Sequence, residues 1–320
     1  MNASPAITVL MPVYNAAAHL AEAMESILAQ TFTDFEFLIL DDGSSDDTPD
    51  ILRQYARQDS RIRLEHNERN LKIPATLNKG LALARAPLVA RMDADDISLP
   101  DRFAQQAAFM RAHPDIWVCG GAHTVWDKET ESAPQMIWEH EGIKAALLFL
   151  CPLAHPFVML RGDTLREHGI RYDETMHYAQ DYELWIRLAL RHEARFANIP
   201  QMIGRYRRHE GSISAARGKE QQEMAARARV QAFEILGCAG SAKDMEAQKC
   251  FHQLGPIKTR AAMIFLFDWA MQLRSANEKR RIFLPYAFNI MLFDRLLSLV
   301  ERHPQFADIS GKLIAAWPTA

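Results

Sequence analysis

The sequence predicts an α/β fold: a mainly parallel sheet flanked by helices, followed by a helical C-terminal region. Three observations lead there. Strand-like and helix-like apolar patterns alternate through the N-terminal third. Carboxylates cluster directly after two of the strand-like runs, at Asp41-Asp42 and at Asp93-Ala94-Asp95-Asp96. From about Ala215 onward the apolar pattern is helical.

The elements follow in order. Ile7 to Met11 is a short apolar run of the buried-strand type, and Leu20, Met24, Ile27 and Leu28 then line one face of a helix. Phe35 to Leu40 reads as the second strand, closed by Asp41-Asp42-Gly43-Ser44-Ser45. Thr48-Pro49 is a helix start, with Ile51, Leu52 and Tyr55 on its buried side. Ile62 to Glu65 is a third strand, Ala75 to Ala84 a helix, and Leu88 to Met92 a fourth strand. Repeated strand–helix–strand order implies parallel pairing with helices on both faces. In such sheets ligands lie beyond the carboxyl ends of the strands, the edge both acidic clusters occupy. Beyond Gly120 the pattern loosens. Phe157 to Leu160 and Ile203 to Arg207 read as strands, and Tyr182 to Leu190, Gln221 to Leu236 and Ala261 to Leu273 as helices.

Composition narrows the function classes. At 320 residues the chain holds one large domain, or one domain with a helical appendage. A net charge of -3 gives no reason to expect nucleic-acid binding. Cys119, Cys151, Cys238 and Cys250 form no C-x-x-C pair, so reduced thiols are expected rather than a zinc site. Met1-Asn2-Ala3-Ser4-Pro5 lacks the basic and apolar regions of a signal peptide, and no stretch is apolar enough to span a bilayer. The expected location is cytoplasmic.

Acidic side chains resist burial without partners. Asp93, Asp95 and Asp96 at a strand end therefore suit either a solvated, helix-capping turn or oxygen ligands for a hard divalent cation. Tyr14 offers a ring face or simply packs, and Asp42 accepts from a ring N–H or forms an Asx turn. Asp181, just before the apolar face Leu184-Trp185-Leu188, serves as an N-cap or as a general base.

An ordered set of motifs decides among these. Pro12-Val13-Tyr14-Asn15, Gln30-Thr31-Phe32, Asp41-Asp42-Gly43-Ser44, Met92-Asp93-Ala94-Asp95-Asp96, Pro100-Asp101-Arg102-Phe103, His155-Pro156, Gln180-Asp181-Tyr182-Glu183-Leu184-Trp185 and Tyr206-Arg207-Arg208-His209 follow one another. Over about residues 6 to 214 the chain resembles the family 2 glycosyltransferases of the GT-A fold. The resemblance implies inverting transfer of a sugar from a nucleotide donor, with a UDP-sugar expected, to a saccharide or lipid-linked saccharide acceptor. Bacterial surface polysaccharide or lipopolysaccharide synthesis is the implied setting. It further implies that Pro12, Val13, Tyr14 and Asp42 surround the base and that Asp93 and Ala94 meet the ribose or diphosphate. Asp95 becomes the ligand of Mg²⁺ or Mn²⁺, Asp181 the base, and Arg207 and His209 contacts of the donor diphosphate. Asp96 would orient the metal site or cap a helix, and His155 is structural or faces the acceptor.

Two departures stand out. The family commonly has Glu where this chain has Gln180, and often Gly where it has Lys72. Lys72 either approaches a phosphate or points to solvent, and solvent is the expectation. The implied organisation is a catalytic domain over 1–214, with a nucleotide-sugar half to about 115 and an acceptor half over 116–214, then a helical region over 215–320. Lys279-Arg280-Arg281 precedes a Leu-, Phe- and Ile-rich segment, which suits peripheral contact with the inner face of the cell membrane or packing within the protein. The competing classes are a metal-dependent nucleotidyltransferase or phosphatase and a non-catalytic sugar-nucleotide-binding protein. Neither glycine-rich phosphate fingerprint is present.

Overall fold

The protein is described by a computed structural model covering residues 4–127, 129–209, 211–212, 217–238, 241–309 and 317. The expected boundary at 214/215 and the end of the Gly211-Ser212-Ile213-Ser214 segment lie outside the described residues. By contact the chain forms two compact units. The first comprises the chain up to Trp138 with Leu153–Leu184 and Ala194–Met224, and the second comprises Glu139–Pro152, Trp185–Glu193 and the chain from Ala225 onward.

The first unit is built on one sheet. Its parallel half consists of β1 (Ile7–Val13), β2 (Phe35–Asp41), β3 (Ile62–His66) and β4 (Leu88–Arg91), in the order β3-β2-β1-β4. The connecting helices are α1 (Leu20–Leu28), α2 (Thr48–Gln58) and α3 (Ile73–Leu83). Strand alternation assigns the faces. Val9, Met11, Phe37 and Ile39 join one apolar cluster with Leu20, Met24 and Ile27 of α1 and Leu52 of α2. On the opposite face, Leu10 of β1 and Leu40 of β2 press against Gly80 of α3, where an added Cβ would lie 2.3 Å from Leu10 Cδ1. The sheet is thus covered on both sides, and the ends of β1, β2 and β4 open at one edge.

The other half of the sheet is mixed. A short strand β5 (Ile97–Ser98) leads to α4 (Arg102–Ala112), and the long β6 (Ile116–Trp126) pairs with β7 (Glu131–Ser132). Further on come β8 (Met159–Arg161) and β9 (Arg195–Arg207). β8 is antiparallel to both β4 and β6, β9 is parallel to β6, and β5 is antiparallel to β9. Two expectations need amending. Phe157 lies in a 3-10 turn, His155–Phe157, rather than in a strand, because Pro156 cannot donate to a ladder. The segment that looked loose beyond Gly120 is the middle of β6, whose glycines admit Ile203 and the Asn198 side chain of β9.

Conserving space decides several contacts here. Gln30 is buried at the end of α1; its Nε2 donates to Leu99 O (2.7 Å) and its Oε1 accepts from Phe103 N (3.1 Å). It thereby fixes the start of α4 beside β5. Gly204 of β9 lies flat on the Phe157 ring, so a Cβ there would come within 2.3 Å of the ring.

The first unit also holds α6 (Gly162–Glu167) and the start of α7 (Gln180–Arg191), and the second holds α5 (His140–Ala146) and the rest of α7. The second unit adds most of α8 (Gly218–Leu236), with α9 (Ala242–Gln253), α10 (Arg260–Arg280) and α11 (Pro285–Arg302). Its core is aromatic: Phe149, Phe233, Phe251 and Trp269 pack with ring centroids 5.0 to 6.1 Å apart. Pro285 begins α11 rather than interrupting it, as proline at a first turn does. Among the described residues no helix is long and apolar enough to cross a membrane.

Because Phe157 is fully buried, overpacking at Gly204 has no outlet. Gly204→Ala is expected to destabilise the chain by about 1–3 kcal/mol. Urea unfolding measures it, and the added change Phe157→Leu should recover part of the loss.

Candidate active site

The edge where β1, β2 and β4 end opens into a cavity of about 650 Å³, a size suited to a nucleotide-class ligand. Pro12, Val13, Tyr14, Asp42, Asp93, Ala94, Asp95 and His209 line it, together with Asn15, Lys72, His177, Tyr178 and Arg217 among others. Arg207 and Asp181 are not among the lining residues.

The part of the cavity around Tyr14 and Asp42 is organised by β1 and β2. Tyr14 is left half exposed (49%) just after β1, because Asn15 turns the chain with φ 48°. Asn15 Oδ1 accepts from Ser45 N (2.8 Å) and Asn15 N donates to Ser44 Oγ (2.9 Å), which joins the two strand-end loops. Asp42 is 4% exposed and heavily engaged. Its Oδ1 accepts from Asn67 Nδ2 and Leu71 N (both 2.8 Å), and its Oδ2 from Lys72 N (3.0 Å). A carboxylate has about four acceptor positions, so one remains on Oδ2 for a ligand.

The acidic end follows β4. Arg91, the last residue of that strand, is 2% exposed and forms an ion pair with Asp93. Burial works against its charge, but Asp93, Tyr172 and Asp96 outweigh that and raise its pKa. Its Nε and Nη1 have no hydrogen-bond partner among the described residues. A second guanidinium, Arg102 of α4, is fully buried and donates to Arg91 O (2.7 Å). Burial, with Arg91 beside it, pulls the Arg102 pKa down to about 9.

Asp93, Asp95 and Asp96 each bring a carboxylate oxygen within 4.8 Å of the others. Oxygen ligands of a Mg²⁺-sized ion are about 3 to 4.2 Å apart, so the three carboxylates would draw together around a bound cation. Asp96 is buried, its Oδ2 lacks a hydrogen-bond partner among the described residues, and its pKa is driven well up by burial and then by Asp93 and Asp95. Hard oxygen donors, an orphaned buried oxygen and mutual repulsion all fit a divalent cation. Asp96 caps no helix: its Oδ1 accepts from Arg207 N (2.7 Å).

β9 returns across this cluster. The Arg207 guanidinium donates to Asp95 O (2.8 Å), pairs with Glu22 of α1 and stacks over Trp126 at 4.1 Å. It braces the acidic loop and is turned away from the cavity wall. His209 Nε2 lies 2.9 Å from Asp95 Oδ2, and its ring meets that of His19 at 4.9 Å. Burial, then Arg207 and His209, lowers the His19 pKa.

Asp181 stands in the first turn of α7. Burial pushes its carboxyl above the ordinary carboxylate range; the Tyr182 N–H and then Arg91 oppose the rise, and Asp93 adds to it. It therefore shares an electrostatic environment with the acidic cluster through Arg91 and Asp93. The loop before it is held by Asn78 of α3, which accepts from Tyr172 N (2.8 Å) and donates to Tyr172 O (3.0 Å). His155 is buried, with Nε2 2.9 Å from the Tyr172 hydroxyl, and burial keeps its pKa well below 6.5. Sequence reasoning assigned no role to Arg91, His19, His177, Tyr178 or Arg217. Arg91 alone carried a signal, as a cation ending an apolar strand directly before three carboxylates.

An aromatic and a buried carboxylate thus share a nucleotide-sized cavity with carboxylates whose donor set fits a divalent cation. The Glycosyl transferase family 2 model matches residues 8–167, and the chain belongs to that family. It is a glycosyltransferase, so the nucleotidyltransferase, phosphatase and non-catalytic readings fall away. Its relatives include an uncharacterized glycosyltransferase of Haemophilus influenzae, 29% identical over 70% of this chain and 72% of the relative. Putative glycosyltransferase EpsE of Bacillus subtilis is 35% identical over 58% of this chain and 68% of its own. Amylovoran biosynthesis glycosyltransferase AmsE of Erwinia amylovora is 29% identical over 66% and 79%. Among solved structures, S. aureus TarS in complex with UDP-GlcNAc superposes with a TM-score of 0.60 at 16% identity, covering 96% of this chain and 91% of that one. Mannosyltransferase PcManGT from Pyrobaculum calidifontis, in complex with GDP-Man and Mn2+, gives 0.56 at 17% identity over 98% and 86%. These likenesses show the GT-A fold.

Removing one member of a buried ion pair leaves the other uncompensated, at a cost of about 3–5 kcal/mol. Arg91→Met is expected to lose that much stability in denaturant unfolding, and Arg91→Met with Asp93→Asn should recover part of it.

Proposed function

We propose that the protein is an inverting glycosyltransferase that moves a sugar from a UDP-sugar to a hydroxyl of a saccharide or lipid-linked saccharide, in the synthesis of a bacterial surface polysaccharide. One observation carries this reading: Tyr14, Asp42, Asp93 and Asp95 share the wall of a single cavity, and Asp181 feels the charges at its acidic end. The names of AmsE and TarS's UDP-GlcNAc complex support the setting and the donor nucleotide.

In this reading Tyr14 gives a face to the base beside Pro12 and Val13, and the free acceptor position on Asp42 takes a ring N–H. Asp93 and Ala94 meet the ribose or diphosphate. Asp95 holds Mg²⁺ or Mn²⁺, with His209 against its carboxylate. A bound cation supplies positive charge where the departing nucleoside diphosphate becomes more negative. Arg207 contributes by fixing the Asp95 carbonyl and the Asp96 carboxylate rather than by touching phosphate. Asp181 takes the proton from the acceptor hydroxyl as that oxygen attacks the anomeric carbon. A carboxyl raised above its ordinary range is the stronger base for that step. A single displacement from the face opposite the leaving group inverts the anomeric centre.

Catalysis is assigned to residues 1–214, with nucleotide binding to about 115 and acceptor binding over 116–214, and the helical region follows over 215–320. We assign that region to contact with the inner, anionic membrane face from the cytoplasm. Leu284, Tyr286 and Ile290 are exposed near Lys279 and Arg281, the pairing of apolar and basic groups that such surfaces attract.

Purified protein assayed for nucleoside diphosphate release against a panel of nucleotide sugars tests the donor. Asp181→Asn should lower turnover at least about 100-fold while leaving UDP affinity within a factor of about two. Unchanged turnover would remove Asp181 from the role of base. Asp95→Ala should abolish the dependence of UDP binding on Mg²⁺ or Mn²⁺ in calorimetric titrations, and a retained metal dependence would exclude Asp95 as a ligand.

A further inference from the structure

Lys72 is a lysine in a glycine's backbone conformation. It precedes α3 with φ 74° and ψ 159°, a region populated almost entirely by glycine. The surroundings enforce this conformation: Lys72 N donates to both Asp42 Oδ2 (3.0 Å) and Asn70 Oδ1 (2.9 Å), and Lys72 O accepts from Thr76 N (3.1 Å). A glycine would meet these bonds without strain. What lysine adds is its side chain, on an exposed residue that lines the same cavity as Tyr14 and Asp42. Its ammonium makes no hydrogen bond or ion pair among the described residues, so no structural partner accounts for it.

The place of its backbone limits what that side chain can reach. Lys72's own backbone sits on Asp42 Oδ2, the oxygen with an acceptor position left over. A carboxylate acceptor and an ammonium donor thus start from neighbouring points on the wall. Together they complement a ligand edge with an N–H beside a C=O. Uracil and guanine present that edge, whereas cytosine and adenine present a ring-nitrogen acceptor beside an amino group, the reverse polarity.

We propose that Lys72 is a specificity-determining residue that reads the base, its ammonium donating to the carbonyl oxygen next to the ring N–H that Asp42 accepts. This rests on the nucleotide-sugar reading of the same cavity and adds a side chain where the family pattern often has none. Backbone strain is retained at this position in exchange for base selectivity.

Calorimetric titration of the full chain with UDP, GDP, CDP and ADP at fixed Mg²⁺ tests it, using wild type, Lys72→Met and Lys72→Gly. A hydrogen bond from a charged donor is worth about a tenfold change in affinity. Lys72→Met should weaken the preferred keto-base nucleotide, UDP or GDP, by about that factor while CDP and ADP binding stays unchanged, narrowing the selectivity ratio. Lys72→Gly should show the same loss of selectivity yet melt at a higher temperature without nucleotide, because the strain is released. An equal loss for UDP and CDP would put the ammonium on the diphosphate and overturn base reading. No loss for any nucleotide, or a lower melting temperature for Lys72→Gly, would overturn it as well. A wild-type chain that binds none of the four nucleotides would instead overturn the nucleotide-sugar reading, and the role of Lys72 with it.

Discussion

The Arg91 guanidinium, buried at the end of β4, is the charge around which the acidic site is built. Three carboxylates follow it within five residues, and Asp96 among them is almost wholly buried. Without a cation in the protein, that density of negative charge would be hard to hold, since desolvation and mutual repulsion act in the same direction. Arg91 pairs with Asp93 directly and also acts on Asp96 and Asp181. It does so from beneath, leaving the cavity side of Asp93 and Asp95 open to a ligand.

The strand register places this charge. Arg91 is opposite Leu10 in β1, and its N–H donates to Val158 O beyond the His155–Phe157 turn. Its carbonyl is in turn held by Arg102, so the family motif around Pro100-Asp101-Arg102-Phe103 is a buried support for the acidic loop rather than a ligand contact. Gln30 does similar work from the other side through Leu99 and Phe103. Two of the motifs that carry the resemblance are thus packing and hydrogen-bonding devices that give the carboxylates a rigid base.

How far the sequence could be read follows from the range of the interactions. The parallel half was legible because each strand and its helix bury apolar residues with a local period, and because strand ends collect the polar residues of the site. Tyr14, Asp42, Asp93 and Asp95 therefore came together as expected from local pattern and motif order. β6 and the first part of β9 were not legible, only the Ile203–Arg207 end being read as a strand: the two strands pair across about 80 residues, and Gly120 and Gly121 look like loop residues until β9 is laid against them. The inward use of Arg207 was equally hidden, since its partners Glu22 and Asp95 come from elements 185 and 112 residues away. A charged residue in a polar stretch reads as a ligand contact when such partners are unknown.

Asp42 and Asp95 illustrate a division of labour that only the structure supplies. Asp42 spends most of its acceptor capacity on Asn67, Leu71 and Lys72, which makes it the organiser of the loop that leads into α3 as well as a candidate base contact. Asp95 is far less committed, with His209 on one oxygen and its backbone carbonyl taken by Arg207. The Asp42 side of the cavity is therefore preorganised by protein–protein hydrogen bonds, while the Asp95 side keeps carboxylate oxygens in reserve. That asymmetry suits a ligand whose base must be recognised by fixed geometry and whose phosphates must be bound and then released as charge moves onto them.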